Sequence, residues 1–156
     1  MSRVQLALNV SDVDAAIAFY QKLFNTPPAK RRPGYANFAV ESPPLKLVLI
    51  ENPERAGTLN HLGVEVATTD EVTAAINRLN AKGVETATEE NVTCCYAVQD
   101  KVWASDPDQA PWEIYTVLAD ADRMAASAPD PGDDEAGGCY EASPSPAEPA
   151  VAGGCC

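Results

Sequence analysis

An internal repeat constrains this chain more than any other feature. Gln5-Leu6-Ala7-Leu8-Asn9-Val10 lies over His61-Leu62-Gly63-Val64-Glu65-Val66 at an offset of 56 residues. Ala15-Ala16-Ile17 lies over Ala74-Ala75-Ile76 at 59, and Pro44-Leu45-Lys46-Leu47 over Pro111-Trp112-Glu113-Ile114 at 67. The order is kept and the offset grows, as loop insertions would make it. A repeated supersecondary unit must bury its apolar face against its twin, so the repeat predicts two like modules packed together.

Each repeat reads as one strand, one helix and further strands. Residues 4–10 alternate apolar and mixed positions, the period of a half-buried strand. Ser11 or Asp12 can cap a helix to about Phe24, with Val13, Ala16, Ile17, Tyr20, Leu23 and Phe24 inward, and Pro27-Pro28 stops it. Residues 35–40 and 45–51 are predicted strands around Ser42-Pro43-Pro44. A polar loop over 52–60 leads to the second strand–helix pair, 61–66 and 69–82, the latter with Val72, Ala75, Ile76 and Leu79 inward and ended by Gly83. Segments 93–98, 101–105 and 112–117 are three more predicted strands, with a short one at 84–87.

Composition divides the chain near Leu118. Residues 120–156 hold no Leu, Ile, Phe or Trp, a single Val, five Pro and five Gly, and eight acids against one Arg. That segment cannot bury enough apolar surface to offset its ordering entropy, so it is predicted to be a disordered acidic tail, with a short helical start near 121–126. The folded unit is then 1–119, with modules of about 1–53 and 60–119. The net charge of -12 argues against nucleic acid or an anionic membrane as partner. No apolar run approaches the ~20 residues of a membrane span, and the N-terminus has no signal-peptide pattern. Five Cys without an export signal suit reduced thiols in a cytoplasm. A single histidine, His61, excludes any mechanism needing two on one chain.

Two βαβββ modules resemble the plan of the vicinal oxygen chelate superfamily, which includes glyoxalase I, extradiol dioxygenases and fosfomycin-resistance enzymes. The implied fold is α+β, a glyoxalase/dioxygenase-like cleft over residues 3–118. More narrowly, VQLALNVSDVDAAIAFYQKLF, NHLGVEV, NVTCCYAVQDKVWASDPD and PWEIYTV resemble the non-haem iron C–As bond lyases and the related cadmium-induced proteins. That resemblance implies Fe(II)- and O2-dependent cleavage of the carbon–arsenic bond of trivalent methyl or aryl arsenicals. Inorganic arsenite and an oxidised organic fragment would be the products.

In that plan each module offers metal ligands from its first and last strands. The repeat then nominates Gln5 and His61 on the first strands, and Lys46 and Glu113 on the last. A cation cannot be a ligand, which leaves Gln5 through its amide oxygen, His61 through imidazole and Glu113 through carboxylate. The set resembles the facial triad of oxygen-activating Fe(II) with Gln for one His, and leaves positions open for water, substrate and O2. An ion and one carboxylate would sum to +1. Gln5 could instead hold a bound water. Lys46 could neutralise developing charge at the metal or be a surface lysine.

Cys94-Cys95 is the most unusual dipeptide of the core. In a continuous strand the two side chains would point to opposite faces; in a broken or looped strand both thiolates can meet one soft centre. The resemblance makes the pair the grip on arsenic. The bland alternative is a buried Cys beside an incidental one. Tyr96, Trp103, Trp112 and Tyr115 could line an aryl pocket or belong to the core. Cys139, Cys155 and Cys156 could capture soft metal or be plain surface thiols. Two further readings stay open: a non-enzymatic binder of cadmium or arsenite, and another metal-dependent dioxygenase of the superfamily. Expected partners are the small arsenical and O2, and a homodimer is allowed.

Overall fold

The computed structural model describes residues 2–124. The chain runs through β1 (Arg3–Val10), α1 (Val13–Phe24), β2 (Lys30–Arg32), β3 (Tyr35–Val40) and β4 (Leu45–Glu51). After a 3-10 turn at Pro53–Arg55 it repeats the unit as β5 (Leu59–Glu65), α2 (Thr69–Ala81), β6 (Ala87–Cys94), β7 (Ala97–Ser105) and β8 (Pro111–Asp120). Both copies are βαβββ, as the repeat predicts.

The local reasons are ordinary ones. Asp12 caps α1 by accepting from the amides of Asp14 and Ala15, and Asn25 closes it at a left-handed φ of 48°. Thr68, one residue ahead of the expected start, caps α2 in a reciprocal capping box with Glu71.

All eight strands form one mixed sheet in the order β2-β3-β4-β1-β5-β8-β7-β6. Each module is closed by a parallel pair, β1 with β4 and β5 with β8, and the modules join through antiparallel β1 and β5. Leu6 pairs with Leu62 at the centre of that joint, so residues 56 apart are related by a local two-fold. The first offset of the repeat is therefore the true one.

The third offset is not. Leu6 pairs with Leu47 and Leu62 with Trp112, so the ladders set Leu47 over Trp112 and Val48 over Glu113. The counterpart of Glu113 is Val48 rather than Lys46. The slip is two residues, which keeps side chains on the same face and so hides in sequence.

The curled sheet has two unlike faces. On the convex side Leu6, Leu8, Ala36, Phe38, Leu47 and Leu49 pack under Val13 and Ile17 of α1. Val72 and Ala75 are the buried face of α2. Leu23, expected inward, is 58% exposed, whereas Phe24 beside it packs against the cluster. At the rim the first module meets the second: Lys30 donates to the Tyr96 carbonyl at 3.0 Å and pairs with Asp120.

Further expectations change, among them the short strand at 84–87, since β6 begins only at Ala87. β2 escaped notice because three cationic residues, Lys30-Arg31-Arg32, carry no apolar alternation. Residues 93–98 are not one strand; Cys95 and Tyr96 form the tight turn of the β6–β7 hairpin, at φ of 54° and 61°. Residues 121–124 form no helix, and Met124 packs against the concave cluster. The remainder of the expected tail, with Cys139, Cys155 and Cys156, lies outside the described residues. No helix among the described residues is long and apolar enough to cross a membrane.

Candidate active site

The concave face gathers the polar side chains that the convex face excludes. Gln5 on β1, His61 on β5 and Glu113 on β8 are all buried, at 4%, 2% and 2% exposure. Gln5 Nε2 lies 2.9 Å from His61 Nε2 and donates to Glu113 Oε1 at 2.6 Å. His61 Nε2 is 3.3 Å from the same oxygen. Three adjacent ligands of one ion with ~2.1 Å bonds are spaced about 3 Å apart, so the three side chains stand at coordination distances.

Each donor is aimed by a neighbour. His61 Nδ1 donates to Asn60 Oδ1 at 2.7 Å, which leaves the Nε2 lone pair facing the triad. Asn60 in turn donates to Asn9, and Asn9 to Thr58, so the tautomer is fixed by a chain of hydrogen bonds. Lys101 Nζ takes Glu113 Oε2 at 2.9 Å, so only Oε1 is free for an ion. Burial works to raise the Glu113 carboxyl, but the charge beside it, the Lys101 ammonium first, outweighs burial and holds it well below the usual carboxylate range.

Gln5 supplies a test of fit. The Tyr115 hydroxyl lies against both Gln5 Oε1 and Glu65 Oε2, yet it has one proton to donate. Turning the amide over resolves this. Nε2 then donates to Tyr115, Tyr115 donates to Glu65, and Oε1 faces His61 and Glu113. Without a cation that orientation would set two acceptor oxygens 2.6 Å apart. With one, it completes an N/O/O site. Gly63 leaves the space this needs, since a Cβ there would lie 3.0 Å from Glu113 Cγ and 3.4 Å from Gln5 Cβ. The residues therefore fit a divalent ion. Among the described residues no group of three His, Cys, Asp or Glu side chains does so, and the centre depends on the amide.

Lys101 is the member that sequence reasoning missed. It is 1% exposed, lies 5.1 Å from the Trp103 ring centroid and brings a positive charge into the site. With it counted, a divalent ion and its neighbours there would sum to +2 rather than +1. Its signal was the strand pattern Lys101-Val102-Trp103, which sets Lys and Trp on one face, but only the β7–β8 pairing turns that face toward Glu113. Lys46, in contrast, binds Glu65 at 2.9 Å and lies 4.9 Å from the Tyr115 ring, outside the triad.

The hairpin turn brings the two cysteines together. Because the chain reverses at Cys95-Tyr96, both side chains reach the cleft, with Sγ atoms 3.3 Å apart. That is far longer than the ~2.05 Å of a disulfide. Two thiolate bonds of ~2.3 Å meeting at about a right angle would span it. The hydrogen bond shared with Cys94 and burial push the Cys95 thiol up, and Lys101 draws it down. Tyr35 and Tyr96 back the turn with ring centroids 5.3 Å apart. Trp103 meets His61 edge to face at 5.5 Å. Trp112 points to the other face and is 37% exposed, so it does not line the site.

Comparison with known proteins agrees with this architecture. Residues 3–114 match the family described as the Glyoxalase/Bleomycin resistance protein/Dioxygenase superfamily. The chain is 57% identical over 143 residues to the cadmium-induced protein CadI of Mycobacterium tuberculosis, covering 90% of this chain and 94% of that protein. It is 52% identical over 157 residues to the trivalent organoarsenical cleaving enzyme of Thermomonospora curvata, covering 100% of both. Among solved structures, homoprotocatechuate 2,3-dioxygenase of Arthrobacter globiformis aligns with a TM-score of 0.55 at 17% identity, over 77% of this chain and 37% of that one.

Proposed function

The chain belongs to the glyoxalase/bleomycin resistance protein/dioxygenase superfamily, and from that premise we propose that it cleaves the carbon–arsenic bond of trivalent organoarsenicals and releases inorganic arsenite. The observation that carries the reading is the placement of two adjacent thiols and an N/O/O donor set on one concave face. Relatives named for this cleavage support it. A protein that only sequesters soft metal has no use for Gln5, His61 and Glu113 held at coordination distances.

In this reading Cys94 and Cys95 hold arsenic through two sulfurs, since thiolates suit a soft centre. Gln5 Oε1, His61 Nε2 and Glu113 Oε1 hold the metal. Fe(II) bound there would supply O2 binding and electron transfer. Asn60 keeps the His61 lone pair turned inward, and Lys101 keeps Glu113 ionised and single-toothed. Tyr115 receives the Gln5 amide once it turns. The buried aromatic walls, Tyr35, Tyr96 and Trp103, keep water away from the organic group. Methyl and aryl arsenites are both candidate substrates, and a cytoplasmic location suits free thiols. The division into a folded unit (1–119) and a tail (120–156) belongs to the same proposal.

The test is aerobic incubation of Fe(II)-loaded protein with methylarsenite or phenylarsenite, followed by speciation of arsenic. Inorganic arsenite should accumulate past one equivalent. Cys94→Ser/Cys95→Ser should keep Fe(II) and lose turnover. Stoichiometric arsenical binding without arsenite release would mark a sequestering protein instead. Removing residues 125–156 should leave both the thermal midpoint and turnover unchanged.

A further inference from the structure

A cavity of about 210 Å³ opens beside Cys95 and is walled by Arg3, Lys30, Lys46, Asn37 and Glu65 among others. We propose that it is a subsite for a negatively charged group on the organic substituent of the arsenical, so that this chain selects single-ring aryl arsenites bearing an acidic group. The inference rests on Cys94 and Cys95 holding the arsenic, as proposed above.

Charge makes the first argument. Residues 1–119 carry -5, yet the cavity walls hold three cations and one carboxylate. That carboxylate is shared. Glu65 pairs with Arg3 through Oε1 and with Lys46 through Oε2, each at 2.9 Å, so one negative charge serves two positive ones. Lys30 pairs with Asp120, which stands outside the cavity with its side chain 77% exposed to competing water. Arg3 Nε is buried and has no hydrogen-bond partner, a donor left over that an anionic oxygen could take.

Size makes the second. A cavity of ~150 Å³ accommodates benzene, so this one takes a single ring with one small substituent. A methyl group would leave most of it unfilled and would reach none of the cations. A ring attached to arsenic on Cys95 enters the cavity at its thiol wall and carries its far substituent toward Arg3 and Lys46. A cationic substituent would meet three like charges.

The experiment uses the full-length chain with Cys139, Cys155 and Cys156 changed to Ser, so that Cys94 and Cys95 are its remaining thiols, and no added metal, so that binding is read apart from turnover. Phenylarsine oxide and 4-carboxyphenylarsine oxide are each titrated against a competing soluble dithiol, with tryptophan fluorescence as the signal. The carboxylate probe should bind about tenfold more tightly, the scale of one hydrogen bond to a charged group. Arg3→Gln and Lys46→Gln should each cut that ratio severalfold, while phenylarsine oxide, which carries no anionic group, should bind as before. Glu65→Gln, which frees both cations, should raise it. Thermal melts accompany each variant, and 1 M NaCl applied to the unmodified chain should lower the ratio without any substitution. Equal affinity for the two probes, with both lost in Cys95→Ser, would overturn the subsite and spare the thiol grip. Tight binding that persists in Cys94→Ser/Cys95→Ser would overturn both.

Discussion

The two halves of the concave face are built on one frame and filled with opposite chemistry. In the second module Gly63, Glu113, Tyr115, Lys101 and Trp103 share the concave face with His61. At the corresponding ladder positions the first module has Ala7, Val48, Ile50, Tyr35 and Asn37. Ala7, Tyr35, Val48 and Ile50 close on one another and on Tyr96 as an apolar cluster. From the first module Gln5, the counterpart of His61, reaches His61 and Glu113. The duplicated frame is a symmetric cradle; one half carries the polar cluster of His61, Glu113 and Lys101, and the other is the floor under the cysteine turn. A single site, rather than two related ones, follows from that division.

The comparison breaks most severely at Glu113. Glu113→Ala should abolish metal binding, read as iron stoichiometry after desalting, because two ligands hold an ion poorly. It should also cost about 3–5 kcal/mol in a urea titration, since Lys101 would be left as a buried charge without its carboxylate. Adding Lys101→Met should recover much of that stability and none of the metal, which separates the two roles.

Gly63→Ala tests whether the glycine that replaces Ala7 matters. Its Cβ would press on Glu113 Cγ at 3.0 Å and on the Glu113 carbonyl at 3.3 Å. Metal affinity should fall about 10–100-fold, as it does when ligand supports are disturbed, while the circular dichroism spectrum stays the same. Unchanged affinity would show that the cradle has slack.

Val48→Thr introduces a polar atom at the first module's counterpart of Glu113. The side chain is 2% exposed among apolar neighbours, so an unpaired hydroxyl should cost ~1–3 kcal/mol in thermal or urea unfolding. Metal content should not rise. A second equivalent of iron would mean that the apolar half is a site missing only a ligand.

The smallest effect concerns acid stability. Burial works to raise the Glu65 carboxyl, but Lys46, Tyr115 and Arg3 together lower it from 4.5. A carboxyl depressed in the folded state stabilises the fold above its unfolded pKa, and that contribution is lost as pH falls through the lower folded value. Stability of the parent chain should therefore drop below about pH 4.5. Glu65→Gln should flatten that part of the pH profile by less than ~1 kcal/mol, given its part exposure. A steeper acid limb in the variant would contradict the assignment.

The amino-acid sequence by itself determined the duplicated unit, because a hydrophobic period of two followed by one near 3.6 is a local property that survives divergence. It also determined the pairing of Gln5 with His61, since the strands that carry them keep their register at the two-fold joint. Tertiary structure decided the rest. The two-residue slip between Lys46 and Val48 preserves face and so leaves no trace in alternation. Lys101 became part of the site only through β7 pairing with β8. Cys94 and Cys95 came to share a cleft because the chain turns at residues 95–96 with positive φ, a conformation that Cys and Tyr adopt at a cost and that local propensity does not foretell. Periodicity is written residue by residue along the chain, whereas the partner across a ladder is set by the whole sheet.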